Sequence, residues 1–142
     1  MEIIDKKVIQ LFGAGTPRSL RPIWVAEELG IEYELSPIGP RTGETQTAEY
    51  TSMNPKQKIP FLLDAEINLS ESLAICRYLI DTYGNGSIWH PSNRLEKARE
   101  DEWCCYIYGE VDETGLYVIL RHVELAPMYG EGPVAVKANT EF

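Results

Sequence analysis

Apolar residues at the start of the chain alternate between two periods. Residues 7–12, KVIQLF, are β-branched and apolar and predict a strand. GAGT breaks the run. Thr16 followed by Pro17 is the pairing expected of a helix N-cap with proline at the first helical position. In RSLRPIWVAEELG, Leu20, Ile23, Trp24 and Leu29 recur among charges with a helical period. Pro22 is expected within the first turn or so, where proline is better tolerated than deeper in, and Gly30 closes the helix. IEYEL, residues 31–35, alternates apolar and polar and predicts a second strand. Strand, helix and strand with short links predict a right-handed parallel unit.

From residue 36 to 53 the pattern dissolves into Pro, Gly, Thr and Glu. This reads as a long loop with one short helix near residues 47–51, and so long a loop in a compact domain is often functional. PFLLDAEINLSES reads as two strands around an Asp64–Ala65 turn. Ser70 is expected to cap the helix ESLAICRYLIDTYG, closed by Gly84. That helix is apolar nearly all round, apart from Glu71, Arg77 and Asp81, so it should bury two sides. NGSIWHPS reads as a linker. From about Ser92 a long helix is predicted through Leu95, Ala98, Trp103, Tyr106, Ile107, Val111, Tyr117 and Val118, with Gly109 and Gly115 as bend points. VELAPMYGEGP reads as a loop. VAVKANTEF reads as the first turns of a helix that stops, which leads to the expectation of a truncated chain. There are no internal repeats.

Composition narrows the class. The chain has 142 residues, 44% hydrophobic and 25% charged, as ordinary globular proteins do. No stretch of about 18 apolar residues predicts a membrane span, and the N-terminus lacks a signal-peptide layout. The formal net charge of −9 weighs against nucleic acid, whose phosphates would be repelled. Small anionic ligands are not excluded, because they respond to local donors. Cys76, Cys104 and Cys105 are odd in number and form no C-x-x-C pair, which reads as reduced, inert thiols in a cytoplasmic protein. His90 and His122 give no metal-ligand spacing, so no metal is expected.

Three stretches carry a resemblance: LFGAGTPRSLRPIWVAEELGIEYEL, NPKQKIPFL and LSESLAICRYLIDTYG. Together they resemble the N-terminal, thioredoxin-like domain of glutathione S-transferases. RLEKAREDEWCCYIYGEV onward resembles the opening helix of that family's all-helical second domain. The implied organisation is an α/β thioredoxin-like βαβ-ββα domain over 1–84, a linker over 85–91, and the start of an all-α domain over 92–142. The implied co-substrate is glutathione, with a hydrophobic electrophile as the second partner. A homodimer across the helix after Ser70 and the helix after Ser92 is also implied.

The resemblance assigns roles to residues. The proline at the position of Pro60 is cis in this family, which turns the backbone of Ile59 outward to pair with a peptide-like ligand as an added strand would. Glu71 and Ser72 have two compatible readings. One is helix capping with Glu71 in the first turn. The other is a receptor for an α-amino acid group, with the helix N-terminus and Ser72 for the carboxylate and Glu71 for the ammonium. Thr16 falls at the position of the serine or cysteine that several classes use to stabilise the glutathione thiolate. Ser19 is a second candidate, Arg18 aligns with the cysteine of another class and would supply positive charge, and neither hydroxyl acting is a further option. Lys58, and more weakly Arg41, face the glycyl carboxylate or are solvated loop residues. Trp24 reads as core or rim, and Cys104 and Cys105 as packed within the long helix.

Two functions follow. In one, bound glutathione attacks an electrophile or a peroxide without a metal or a covalent enzyme intermediate. In the other, the same fold serves as a non-catalytic binding or assembly module.

Overall fold

A computed structural model of the chain describes residues 8–65, 67–130 and 132. These fall into two compact units that divide between His90 and Pro91. The first runs β1 (Ile9–Phe12), α1 (Pro17–Leu29), β2 (Tyr33–Ser36), a 3-10 turn (Glu44–Gln46), α2 (Ala48–Met53), β3 (Phe61–Leu63), β4 (Asn68–Ser70) and α3 (Ser72–Tyr83). The sheet order is β2-β1-β3-β4. β1 and β2 are parallel, in register from Ile9 opposite Tyr33 to Phe12 opposite Ser36. β3 is antiparallel to both β1 and β4. This is the thioredoxin-like βαβ-ββα topology. β1 and β2 are shorter than their apolar runs, since pairing spans only four residues of each; Lys7 lies outside the described residues.

Strand alternation decides which side chains meet which layer. Ile9 and Leu11 of β1 and Leu62 of β3 face one side. There they pack with Ala26 and Leu29 of α1 and with Ile75 and Leu79 of α3. Leu62, Ile75 and Leu79 are fully buried, each contributing about 1.5–3 kcal/mol. Phe12 and Phe61 face the other side, where Tyr50 of α2 completes an aromatic trio with ring centroids 5.8–6.0 Å apart. So α1 and α3 cover one face and α2 the other.

Thr16 caps α1, accepting from the Ser19 N–H, and Pro17 opens the helix. Gly30, at φ 65°, closes it with its N–H on the carbonyls of Ala26 and Glu27. Pro22 stands in the second turn rather than the first. Having no N–H, it leaves the Arg18 carbonyl without its α-helical donor. The capping expectation for Ser70 is corrected: Ser70 ends β4, pairing with Phe61, and the N-cap of α3 is Glu71. The β3–β4 ladder holds Ser70 in extended backbone, so the helix starts one residue later than the Ser-Glu-Ser pattern implied. α3 buries one stripe, Ser72, Ile75 and Leu79, and its other side is only partly covered within its unit. Residues after α3 are tied back to α1: Asn85 Nδ2 donates to the Leu29 carbonyl (3.2 Å) and Ser87 Oγ to the Glu28 carbonyl (3.0 Å).

The second unit begins with α4 (Arg94–Cys105), capped by Asn93 Oδ1, which accepts from the N–H groups of Leu95 and Glu96. The helix then widens into π turns over Tyr106–Leu116. The bends expected at Gly109 and Gly115 are thus a change of winding spanning both, with Thr114 Oγ1 donating to the Gly109 carbonyl. α5 (Tyr117–Ile119), a π segment (Leu120–Glu124) and α6 (Ala126–Tyr129) follow. VELAPMYGEGP is therefore largely helical, not a loop: Pro127 stands in the first turn of α6, where it costs no hydrogen bond. No described residue of this unit is buried; Cys104 is partly covered and Cys105 exposed, so the pair is not packed inside the helix face. The helical start expected in VAVKANTEF lies outside the described residues. Among the described residues, no helix is long and apolar enough to cross a membrane.

Candidate functional site

The turn from β1 into α1 is held by two main-chain bonds, Gly13 N–H to the Ser36 carbonyl (2.9 Å) and Ala14 N–H to the Ile38 carbonyl (3.0 Å). Gly13 has φ 114°, and a Cβ there would lie 2.7 Å from Ile59 Cβ and 2.9 Å from Ser19 Oγ. Only glycine lets these two residues approach so closely. Thr16 Oγ1 accepts from the Ser19 N–H (3.1 Å) and lies 2.9 Å from Ser19 Oγ. Ser19 is 1% exposed, whereas Thr16 is only partly buried. Of the two hydroxyls, Thr16 is the less buried.

The second part is the loop from α2 into β3. Asn54 is buried at its centre. Its Nδ2 donates to the Lys58 carbonyl (2.8 Å), and its Oδ1 accepts from the Lys56 N–H (3.2 Å). The Tyr50 hydroxyl also donates to the Lys58 carbonyl (2.7 Å), and burial pushes its phenol pKa up. Gln57 takes φ 54°, which completes the turn. The Lys58 carbonyl is thereby turned inward and doubly satisfied. The Ile59–Pro60 peptide bond is cis. Among the described residues, no hydrogen bond uses the main-chain N–H or C=O of Ile59. A partly exposed main chain in that state can accept an extended peptide.

The third part is the mouth of α3. Glu71 takes φ 77°, an uncommon conformation for a residue with a side chain, and such outliers cluster at functional sites. No side chain caps the helix, so its first-turn N–H groups are available to an anion. Ser72 is buried, and its Oγ accepts from Arg21 of α1 (3.3 Å). Lys56 Nζ lies 3.1 Å from Glu71 Oε1. Glu71 is therefore the cap residue with a cationic neighbour, rather than a first-turn carboxylate open on all sides.

The structure thus brings Thr16, Ser19 and Ile59 together across Gly13, with Pro60 buried beyond. It draws Glu71 and Ser72 toward the loop and α1 through Lys56 and Arg21. Lys58 is exposed at the rim, while Arg41 lies on the exposed segment after β2. Trp24 is 62% exposed, its indole N–H donating to Glu28 (3.0 Å), so it is not core. Arg18 is partly buried. Sequence reasoning missed Gly13, Arg21, Asn54 and Lys56. Asn54 carried a signal, since an Asn before Pro often organises a turn through its side chain. The others act through contacts between distant segments. Among the described residues, no group of three or more His, Cys, Asp or Glu could hold a metal ion.

Comparison with known proteins bears on this arrangement. The family model described as "Glutathione S-transferase, N-terminal domain" matches residues 7–81. Over 112 residues the chain is 30% identical to glutathione S-transferase theta-1 of Bos taurus, covering 78% of this chain and 47% of that protein. Over 125 residues it is 33% identical to glutathione S-transferase 1 of Zea mays, covering 86% and 56%. Among solved structures, it resembles the theta class glutathione S-transferase of Xanthomonas axonopodis pv. citri with glutathione bound. There the TM-score is 0.77 at 26% identity, covering 93% of this chain and 63% of the other. The chain spans about half the length of the two sequence relatives.

Proposed function

The chain belongs to the glutathione S-transferase family, and from that premise we propose that its first unit binds glutathione and holds the thiol as a thiolate for attack on a hydrophobic electrophile. The observation that carries this reading is the close approach of Ile59 to the Thr16–Ser19 hydroxyl pair across Gly13. A tripeptide pairing its cysteinyl main chain with the Ile59 N–H and C=O would set its sulfur at the N-terminal turn of α1. The Thr16 hydroxyl then donates to the sulfur, and the helix dipole adds a favourable field. Stabilising the thiolate lowers the thiol pKa by one unit for every 1.36 kcal/mol.

The α-amino acid end of the γ-glutamyl group goes to the mouth of α3. Its carboxylate takes the free N–H groups of the first turn, and Ser72, polarised by Arg21, adds a donor. Its ammonium goes to Glu71. Lys58 meets the glycyl carboxylate. The chemistry is a displacement: the sulfur lone pair forms the S–C bond, the leaving group departs with its electron pair, and the thiol proton has already gone to solvent. A peroxide is the alternative acceptor. The proposal keeps the division into a glutathione-binding domain (1–84), a linker (85–91) and an opening helical segment (92–142). It carries with it a homodimer and a reducing, cytoplasmic setting, in which glutathione is available.

Calorimetric titration with glutathione, followed by conjugation of chlorodinitrobenzene, tests the reading. Saturable one-site binding that is lost in Ser72→Ala and Glu71→Ala supports it. A folded protein that does not bind glutathione points instead to a non-catalytic module on the same fold.

A further inference from the structure

We propose that Lys56 is a resident counter-ion of Glu71, occupying the ammonium position and setting how tightly ammonium-bearing ligands bind; this rests on the glutathione reading above. Lys56 Nζ lies 3.1 Å from Glu71 Oε1, within ion-pair distance of the carboxylate that an incoming ammonium would seek. The lysine is not there by chance rotation of a free loop. Its main-chain N–H is fixed on Asn54 Oδ1 (3.2 Å), the next N–H, that of Gln57, on the Asn54 carbonyl (2.9 Å), and Asn54 is buried. Gln57 Nε2 donates to Thr51 Oγ1 (3.1 Å), tying the loop tip to α2. On the other side, Glu71 is held between the β4 ladder and the first helical bond of α3, its carbonyl accepting from the Ile75 N–H. Both ends of the ion pair are anchored, and only the side chains are left to exchange.

A ligand ammonium must then share the Glu71 carboxylate with Lys56 or displace it. The pair is solvent-accessible, with side-chain exposures of 57% and 50%, so the barrier is modest and salt-sensitive. Its effect is on affinity and on discrimination. A ligand with the ammonium loses part of its gain to the competing lysine. A ligand lacking it leaves the ion pair in place and loses nothing.

The test titrates the full chain with glutathione and with glutaryl-cysteinyl-glycine, the same tripeptide without its amino group. Lys56→Met keeps the apolar stem and removes the charge; Lys56→Arg keeps the charge. At low ionic strength, Lys56→Met is expected to bind glutathione up to about fivefold tighter. The deaminated tripeptide should change little, and Lys56→Arg should behave as wild type. Added salt should narrow the difference between wild type and Lys56→Met. Unchanged or weaker glutathione binding in Lys56→Met, with wild type binding normally, overturns the proposal alone and makes Lys56 a bystander or a ligand contact. No glutathione binding by any of the folded variants overturns the parent reading and this proposal with it.

Discussion

The hydroxyl oxygens of Thr16 and Ser19 lie 2.9 Å apart, and the Ser19 N–H points at the same Thr16 oxygen from 3.1 Å. A hydroxyl has one proton to give. If the Ser19 hydroxyl donates to Thr16, both bonds feed the Thr16 oxygen and its own proton is left for a third group. Ser19 is the more deeply buried of the two. On the glutathione reading proposed above, that arrangement would make Ser19 a positioning residue and Thr16 the donor. Thr16→Ser should keep kcat/KM. Thr16→Val should lower it by about tenfold to a hundredfold, as expected for a lost charge-assisted bond. Ser19→Ala should lower it less, about threefold to tenfold. In both, the pH at which activity rises should move upward, read from the pH dependence of kcat/KM.

The same threonine also caps α1, so stability and activity must be separated. Thr16→Val removes the cap and should cost about 0.5–2 kcal/mol in urea unfolding. Thr16→Asp restores a capping oxygen but, ionised, it has no proton to donate and repels a thiolate. It should regain most of the stability and none of the activity. Recovery of activity in Thr16→Asp would show that Thr16 serves only the helix.

Much of this arrangement was legible in the chain, and the reason is local chemistry. Thr16–Pro17 and Gly30 mark α1 because capping and left-handed closure involve residues only a few positions apart. The β-branched, apolar run of residues 7–12 marks a strand, whereas the face that Ile9 and Leu11 present is set by packing against α1 and α3. Ser70 was misread because capping propensity cannot see a cross-strand partner: its pairing with Phe61 outweighs its preference for a helix start. Lys56 and Arg21 were illegible for the same reason, since their contacts to Glu71 and Ser72 span 15 and 51 positions. The π winding after Cys105 has no sequence signature beyond its two glycines.

Gly13 and Gly15 share a turn and a positive φ but not a neighbourhood. A Cβ at Gly13 would meet Ile59 Cβ at 2.7 Å, an atom fixed to the backbone; a Cβ at Gly15, at φ 72°, would meet nothing within 4 Å. Gly15→Ala should cost only the left-handed penalty, about 1–2 kcal/mol, and leave glutathione affinity intact. Gly13→Ala should cost more and displace Ile59. Its signature is a loss of binding in calorimetry under conditions where circular dichroism still reports a folded protein. Equal effects at the two positions would show that Ile59 has no part in binding.

The last prediction concerns stability against pH and rests on Asp64. In the turn between β3 and β4, its Oδ2 accepts from the hydroxyls of Tyr78 (2.7 Å) and Tyr83, both on α3, and its Oδ1 from the Ala65 N–H. Partial burial pushes the carboxyl up, but the bonds from Tyr83, Tyr78 and Ala65 outweigh it and hold its pKa below the usual range. Burial, then the bond to and charge of Asp64, push both phenols up. The signs follow. A depressed carboxylate pKa gives stability that is present above the unfolded value, about 3.9, and is lost as pH falls through the folded value. A raised phenol pKa gives stability that is present below about 10 and is lost as pH rises through the folded value. The cluster therefore braces the β3–β4 turn against the C-terminal half of α3 between those limits. Asp64→Asn keeps the shape but not the charge, and should cost about 1 kcal/mol at neutral pH. The difference between wild type and variant should shrink as pH falls from ~4 through the lowered folded value of Asp64, beneath which both are neutral at this position. It should change again above pH ~10, where the wild-type phenols resist ionisation through burial and the Asp64 charge and the variant's through burial alone. Urea midpoints at acid, neutral and alkaline pH supply the comparison, and a difference that is flat across the whole range would remove the Asp64 charge from the account of how α3 is held.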